Sequence, residues 1–226
     1  RGRIMQAYIA VEDIERFRDG IFFVFFSGCN FRCPYCNAKE LVDFREENIA
    51  FLKDLKKEMK GYDVKKIFFT GGEPTLQRQA LLNLCRFAKK EGIRTVLDTN
   101  GSKPNTLKSL LREEVIDEIH LDLKSPMKAE SFERITKSST FFKPAEEIVE
   151  DMKESISLLE ESRVKMKVTT LIVPSLIYRK EDILDIAHHV NRLGCEWELL
   201  PFSPEKTMNR TLQNISKPSD RFINNL

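Results

Sequence analysis

The chain has 226 residues, 41% hydrophobic and 32% charged, which supports a sizeable core and excludes a disordered chain. Its 37 Lys and Arg against 35 Asp and Glu leave a formal charge of +2, too even to mark nucleic acid or an acidic membrane surface as a partner. The longest wholly apolar run, Ile21–Phe26, is far short of a membrane span. A barrel-like unit of parallel strands and helices commonly fills this length, so residues 1–226 read as one domain with a core over about 20–203 and a polar tail over 204–226.

Apolar period and punctuation then give a strand–helix rhythm. The run FFVFFS over 22–27 has the continuous apolar pattern of a parallel strand buried on both faces. A helical pattern over 47–60 stops at Gly61, and the strand KIFFT spans 66–70. A helix over 77–90 ends before Gly92, a strand covers 94–98, and a helix over 105–112 starts on the capping signals Pro104 and Asn105. The strand at 118–123 is followed by a helix at 145–161, with Ile148, Met152, Ile156 and Leu159 at helical spacing. The β-branched strand 165–173 stops at Pro174, the helix 180–192 at Gly194, and the strand 197–200 at Pro201. These are six strand–helix units, the last lacking its helix. They predict an α/β fold with a parallel sheet, either open or barrel-like, whose functional edge is the C-terminal rim of the strands. The polar tail reads either as a cap over a site or as a poorly ordered end.

Of five cysteines, Cys85 and Cys195 stand alone while Cys29, Cys33 and Cys36 fall within eight residues, directly after the first strand. An odd count with one tight cluster is not a secreted disulfide framework; in a reducing cytosol it reads as metal ligation, which places the protein in the cytoplasm. Three thiolates on one loop can hold a metal ion or an iron–sulfur cluster. Structural zinc takes four ligands and no second cysteine pair is present, so a zinc site would have to borrow a distant histidine. A [4Fe–4S] cube held by three cysteines instead leaves one iron open to a substrate or cofactor.

Three further loops follow strands: Gly71-Gly72-Glu73-Pro74-Thr75, Asp98-Thr99-Asn100-Gly101, and Leu121-Asp122-Leu123-Lys124. Each alone is ordinary punctuation or a solvated charge. Glycines also let backbone approach a ligand, and Lys with Asp at strand ends can grip a zwitterion or a cation. In a parallel sheet all four loops share one rim.

The C-x-x-x-C-x-x-C motif followed by Gly-Gly-Glu-Pro resembles the radical S-adenosylmethionine (SAM) superfamily. With Asp98 to Gly101, Leu121 to Lys124, Ile172-Val173-Pro174 and Glu198 to Phe202, the chain is similar to the glycyl-radical-enzyme activating family, including the activators of anaerobic ribonucleoside-triphosphate reductase and of pyruvate formate-lyase. The resemblance implies a partial (β/α)6 barrel. It implies that Cys29, Cys33 and Cys36 ligate three irons of one [4Fe–4S] cluster and that SAM chelates the fourth. Tyr35 would pack near the adenine, Gly71, Gly72 and Glu73 would meet the methionine amino end, and Lys124 its carboxylate. Asp98 and Asp122 match positions that hold a monovalent cation, and Thr170, Val173, Leu200 and Phe202 would line the adenosine side. The activity implied is reductive cleavage of SAM to a 5′-deoxyadenosyl radical that takes a hydrogen atom from a glycine of a partner enzyme, with a ferredoxin or flavodoxin as reductant. The alternatives are a radical SAM enzyme acting on a small molecule or nucleotide, as deazapurine-forming members do, and a non-catalytic electron-transfer module.

Two positions depart from the family pattern. Asn37-Ala38 follows the third cysteine where His-Asn is usual, and Arg18-Asp19-Gly20 stands where a Gly-Pro-Gly approach to the first strand is expected. Residues 37–65 contain no cysteine, which limits the chain to one cluster in this region. His120, Cys85, Cys195 and Trp197 read as packed residues, and His188 and His189 as a solvated helix face.

Overall fold

The computed structural model describes residues 5–10, 16–205, 207–223, 225 and 226. Its contacts divide into two compact units. The first comprises Arg1–Asn30, Glu40–Thr99 and Asn105–Ile119. In it the short strands β1 (Gln6–Tyr8) and β2 (Phe17–Arg18) precede β3 (Ile21–Phe26). β2 and β3 are antiparallel, with Phe17 opposite Phe22. Asp19 and Gly20, both at positive φ, form the two-residue turn between them. The Arg18-Asp19-Gly20 segment is therefore a hairpin corner. Next come β4 (Ile49–Phe51), α1 (Leu52–Met59), β5 (Lys66–Gly71), α2 (Arg78–Lys90), β6 (Arg94–Thr99) and α3 (Pro104–Glu113). β3 and β5 run parallel from Ile21 against Lys66 to Phe26 against Gly71, and β5 and β6 from Lys66 against Arg94.

Two expectations are corrected in this unit. The helical pattern over 47–60 holds only from Leu52, because Ile49, Ala50 and Phe51 pair antiparallel with β1. Three residues of suitable β-propensity take a ladder when a partner strand is supplied from elsewhere in the chain. The first strand is not equally buried on both faces: Phe22, Val24 and Phe26 are fully buried, whereas Phe23 and Phe25 are half-buried. β5 repeats the alternation, with Ile67 and Phe69 buried and Phe68 half-buried against Phe23.

Strand β7 (Glu118–Asp122) begins in the first unit and ends in the second, which comprises Phe31–Lys39, Asn100–Pro104 and His120–Leu226. There follow α4 (Ala129–Thr136), α5 (Ala145–Glu160), β8 (Lys165–Ile172), α6 (Lys180–Leu193), β9 (Glu196–Pro201) and the short α7 (Asp220–Ile223). The Leu123 amide donates to the Thr169 carbonyl at 3.0 Å, and β8 and β9 are parallel from Lys167 against Glu196 to Ile172 against Pro201. Helix α4 escapes a reading of the sequence because it is two turns long, and its apolar face is little more than the buried Phe132 and Ile135. The strands β3, β5, β6, β7, β8 and β9 with their helices are the α/β series that the sequence predicts. Among the described residues no helix is long and apolar enough to cross a membrane.

Candidate active site

In the first unit, the exit of β3 is fixed by side chains from several segments. Gln77 Nε2 donates to the carbonyls of Tyr8 and Ser27 at 2.8 and 2.9 Å, while its Oε1 accepts from the Tyr8 amide at 2.7 Å. The buried Ser27 hydroxyl donates to the Asp43 carbonyl at 2.7 Å and accepts from Asn48 Nδ2 at 2.9 Å. The amides of Gly28 and Cys29 donate to the carbonyls of Leu41 and Val42, both at 2.8 Å. Cys29 is half-buried on this pinned segment. The exit of β5 lies directly against it, since the Gly72 amide reaches the Phe26 carbonyl and the Glu73 amide the Gly28 carbonyl, each at 2.8 Å. Gly71 has φ +113°, and a Cβ on it would strike the Phe26 backbone; one on Gly72 would strike the carbonyls of Gly28 and Leu41. Only a glycine pair permits this approach.

Glu73 is fully buried, and its Oε1 accepts from the Thr75 amide (3.0 Å), the Thr75 hydroxyl (2.5 Å) and the Thr99 hydroxyl (2.7 Å). It caps the short helical turn Pro74–Gln77. Asp98 is half-buried and accepts the Thr70 hydroxyl at 2.9 Å.

In the second unit, Cys33 is buried and Cys36 half-buried, and the Cys36 amide donates to the Cys33 carbonyl at 3.0 Å, closing a turn over Pro34 and Tyr35. α4 holds one side of this loop: the Arg32 amide donates to the Thr136 carbonyl at 2.9 Å, and the Phe31 ring meets Phe132 edge-on at 5.6 Å. The polar tail holds the other, with the Met208 amide on the Cys36 carbonyl at 3.0 Å and the Asn209 amide on the Pro34 carbonyl at 2.9 Å. The described tail residues are thus bonded to the cysteine loop. Tyr35 is 5% exposed and its hydroxyl forms no acceptable hydrogen bond, although it lies beside the Cys33 thiol. Burial above all, then the nearby Cys33, Asp122 and Cys36, pushes its phenol well above the ordinary tyrosine value. At the end of β7, Asp122 and Lys124 form an ion pair.

Thr170, Val173 and Phe202 are fully buried and Leu200 half-buried. The Thr170 hydroxyl donates to the Leu123 carbonyl at 2.8 Å and receives the Trp197 indole N–H at 3.1 Å. The Val173 amide donates to the Ile177 carbonyl at 2.9 Å and that of Phe202 to the Ile172 carbonyl at 3.1 Å. These residues tie strand ends together. Cys85 is a core residue whose thiol burial pushes far up, and is inert.

The donor set suits a cubane cluster. Cys29, Cys33 and Cys36 are not in disulfides. A cluster takes one thiolate at each of several irons, so its ligands need not meet at a point.

A parallel α/β fold with three cysteines on the loop after its first long parallel strand is the pattern of a cluster-binding enzyme class. The radical SAM superfamily model matches residues 23–193, and the chain belongs to that superfamily. Its relatives include a Methanocaldococcus jannaschii protein assigned by name to glycyl-radical enzyme activation (MJ1227), 28% identical over 219 residues that cover 90% of this chain and 81% of that one. The pyruvate formate-lyase-activating enzyme of Clostridium pasteurianum is 26% identical over 79% of this chain and 74% of its own length. A shorter stretch of 82 residues is 35% identical to 7-carboxy-7-deazaguanine synthase of Hyperthermus butylicus, covering 36% of this chain and 35% of that one. Among solved structures, a radical SAM methyltransferase from Sphaerobacter thermophilus shares the fold, with TM-score 0.65 at 16% identity over 92% of this chain and 63% of that one. The α/β fold with its parallel strands and the superfamily are thus as the cysteine and strand-end motifs imply.

Sequence reading missed the groups that hold the β3 exit (Gln77) and the cysteine loop (Thr136, Met208 and Asn209). Three of the four act through backbone atoms, and Gln77 through a side chain with no motif around it.

Proposed function

We propose that this radical SAM enzyme activates a glycyl-radical enzyme, with residues 1–226 acting as one catalytic domain in the cytoplasm. The observation that carries this reading is the alignment with MJ1227 over 90% of the chain, rather than over the cysteine motif alone. Cys29, Cys33 and Cys36 would hold the cluster, and Gly71, Gly72, Glu73, Lys124 and Tyr35 would hold SAM, with Thr170, Val173, Leu200 and Phe202 backing the adenosine side. When bound, the cluster and SAM supply one-electron reductive cleavage of the sulfonium to methionine and a 5′-deoxyadenosyl radical. The chain's own work is to fix the ligands. The bonded backbone around Cys29 and around Pro34 to Cys36 holds the thiols in place. The glycine pair lets the β5 exit lie directly against the backbone of the β3 exit, an approach that any side chain there would block. The Asp122–Lys124 pair sets a cation where a carboxylate can be received. A monovalent cation beside Asp98 or Asp122 and a ferredoxin or flavodoxin reductant belong to the same proposal.

The test is anaerobic reconstitution followed by assay of 5′-deoxyadenosine under dithionite, with and without a candidate glycyl-radical enzyme whose radical is read by EPR. Cys33→Ser should abolish both the cluster's visible absorbance and 5′-deoxyadenosine formation; SAM cleavage at the parental rate in that variant refutes the ligand assignment. A second reading, a small-molecule or nucleotide substrate, draws support from the stretch similar to 7-carboxy-7-deazaguanine synthase. SAM turnover stimulated by a small metabolite with no partner protein would select it.

A further inference from the structure

Among the described residues, two buried side-chain polar atoms lack a hydrogen-bond partner: one guanidinium nitrogen of Arg16 and the hydroxyl of Tyr35. The charge of Arg16 is already met through its other terminal nitrogen, 2.7 Å from Glu58. Tyr35 has no such relief. Leaving a buried hydroxyl unpaired is unfavourable, and phenylalanine would fill the same space without that cost. The backbone prevents escape: the Cys33–Cys36 turn closes over Tyr35, and the amides of Asn209 and Met208 fasten the carbonyls on either side of it, at Pro34 and Cys36. The hydroxyl lies beside the Cys33 thiol. A neutral thiol is a poor acceptor, whereas a metal-bound thiolate is a good one.

We propose that the Tyr35 hydroxyl donates a hydrogen bond to the Cys33 sulfur once that sulfur ligates the cluster, and so raises the cluster's reduction potential. A donor to a cluster sulfur favours the more negative, reduced state over the oxidised one. The inference rests on the cluster assignment made above and adds to it a residue that eases entry of the electron.

Tyr35→Phe keeps the ring and removes only the hydroxyl. Parent and variant would be reconstituted anaerobically, assayed for iron, and titrated potentiometrically with the reduced cluster read by EPR. At equal iron content, the ratio of reduced to oxidised cluster at a fixed potential should fall roughly three- to tenfold in the variant. An unchanged ratio overturns the inference. Should the variant load poorly, 3,5-difluorotyrosine at position 35, a stronger donor of nearly the same shape, must raise the ratio; no rise overturns it equally. In the parent, pulsed EPR should detect an exchangeable proton coupled to the cluster; its persistence in Tyr35→Phe would also overturn the inference. A parent that binds no cluster refutes the cluster assignment itself, whereas a loaded parent whose potential ignores position 35 refutes only the role given to the hydroxyl.

Discussion

Replacing Glu73 with alanine withdraws one acceptor from three donors. The Thr75 amide at 3.0 Å, the Thr75 hydroxyl at 2.5 Å and the Thr99 hydroxyl at 2.7 Å all point at Oε1, and Glu73 is 0% exposed, so bulk water does not replace it. Each buried donor left unpaired costs about 1–3 kcal/mol; the hydroxyls can rotate toward other acceptors and the amide cannot, which gives a gross loss of about 3–4 kcal/mol. Removing a buried carboxyl returns about 1 kcal/mol of desolvation, leaving a net loss of about 2–3 kcal/mol. Glu73→Gln keeps a carbonyl oxygen in place and should lose about 1 kcal/mol or less. The assay is urea unfolding of the metal-free chain under anaerobic, reducing conditions. With a slope of roughly 2 kcal/mol/M the alanine midpoint should fall by about 1 M. An alanine variant within about 0.5 kcal/mol of the parent, or a glutamine variant as unstable as alanine, refutes the capping role. Glu73→Gln also separates that role from ligand contact: a variant that folds normally but has lost SAM affinity places the carboxylate against SAM as well.

Two further outcomes follow from the second unit. Gly101 has φ +76°, and a Cβ on it would meet Leu121 Cδ1 at 2.7 Å and Met152 Cε at 3.1 Å. Gly101→Ala should therefore destabilise the protein by about 1–3 kcal/mol in thermal unfolding, and a neutral result removes the steric argument. Deleting residues 204–226 breaks the bonds from Met208 and Asn209 to the cysteine loop. At about 1 kcal/mol each, their loss should speed iodoacetamide labelling of Cys33 in the metal-free protein by roughly ten- to thirtyfold. Labelling at the parental rate would show that the loop is held by α4 alone.

What the sequence disclosed follows the range over which each signal acts. The apolar strands from Ile21, Lys66 and Lys165, the Gly194 stop after α6 and the cysteine spacing are local patterns, and each has its element or its family in the fold. Ile49 to Phe51 reads as helix because its neighbours do; only the distant β1 makes it a strand. Thr170 and Phe202, which the resemblance sets on the adenosine side, are both fully buried, and the Thr170 hydroxyl is bonded to the Leu123 carbonyl, a partner no local pattern announces. Glu73 belongs to a glycine-rich motif, but one of its donors, the Thr99 hydroxyl, lies on the next strand, beyond any local pattern. The fastening of the cysteine loop by Met208 and Asn209 leaves no trace in side-chain identity, because amides are common to every residue type but proline.

The bonds from Met208 and Asn209 to Cys36 and Pro34 also fix an order of biogenesis. A ribosome delivers the thiols long before it delivers the amides that lock them. Until those later residues are made, the turn from Cys33 to Cys36 lacks two of the bonds that fasten it and is held only by its contacts with α4.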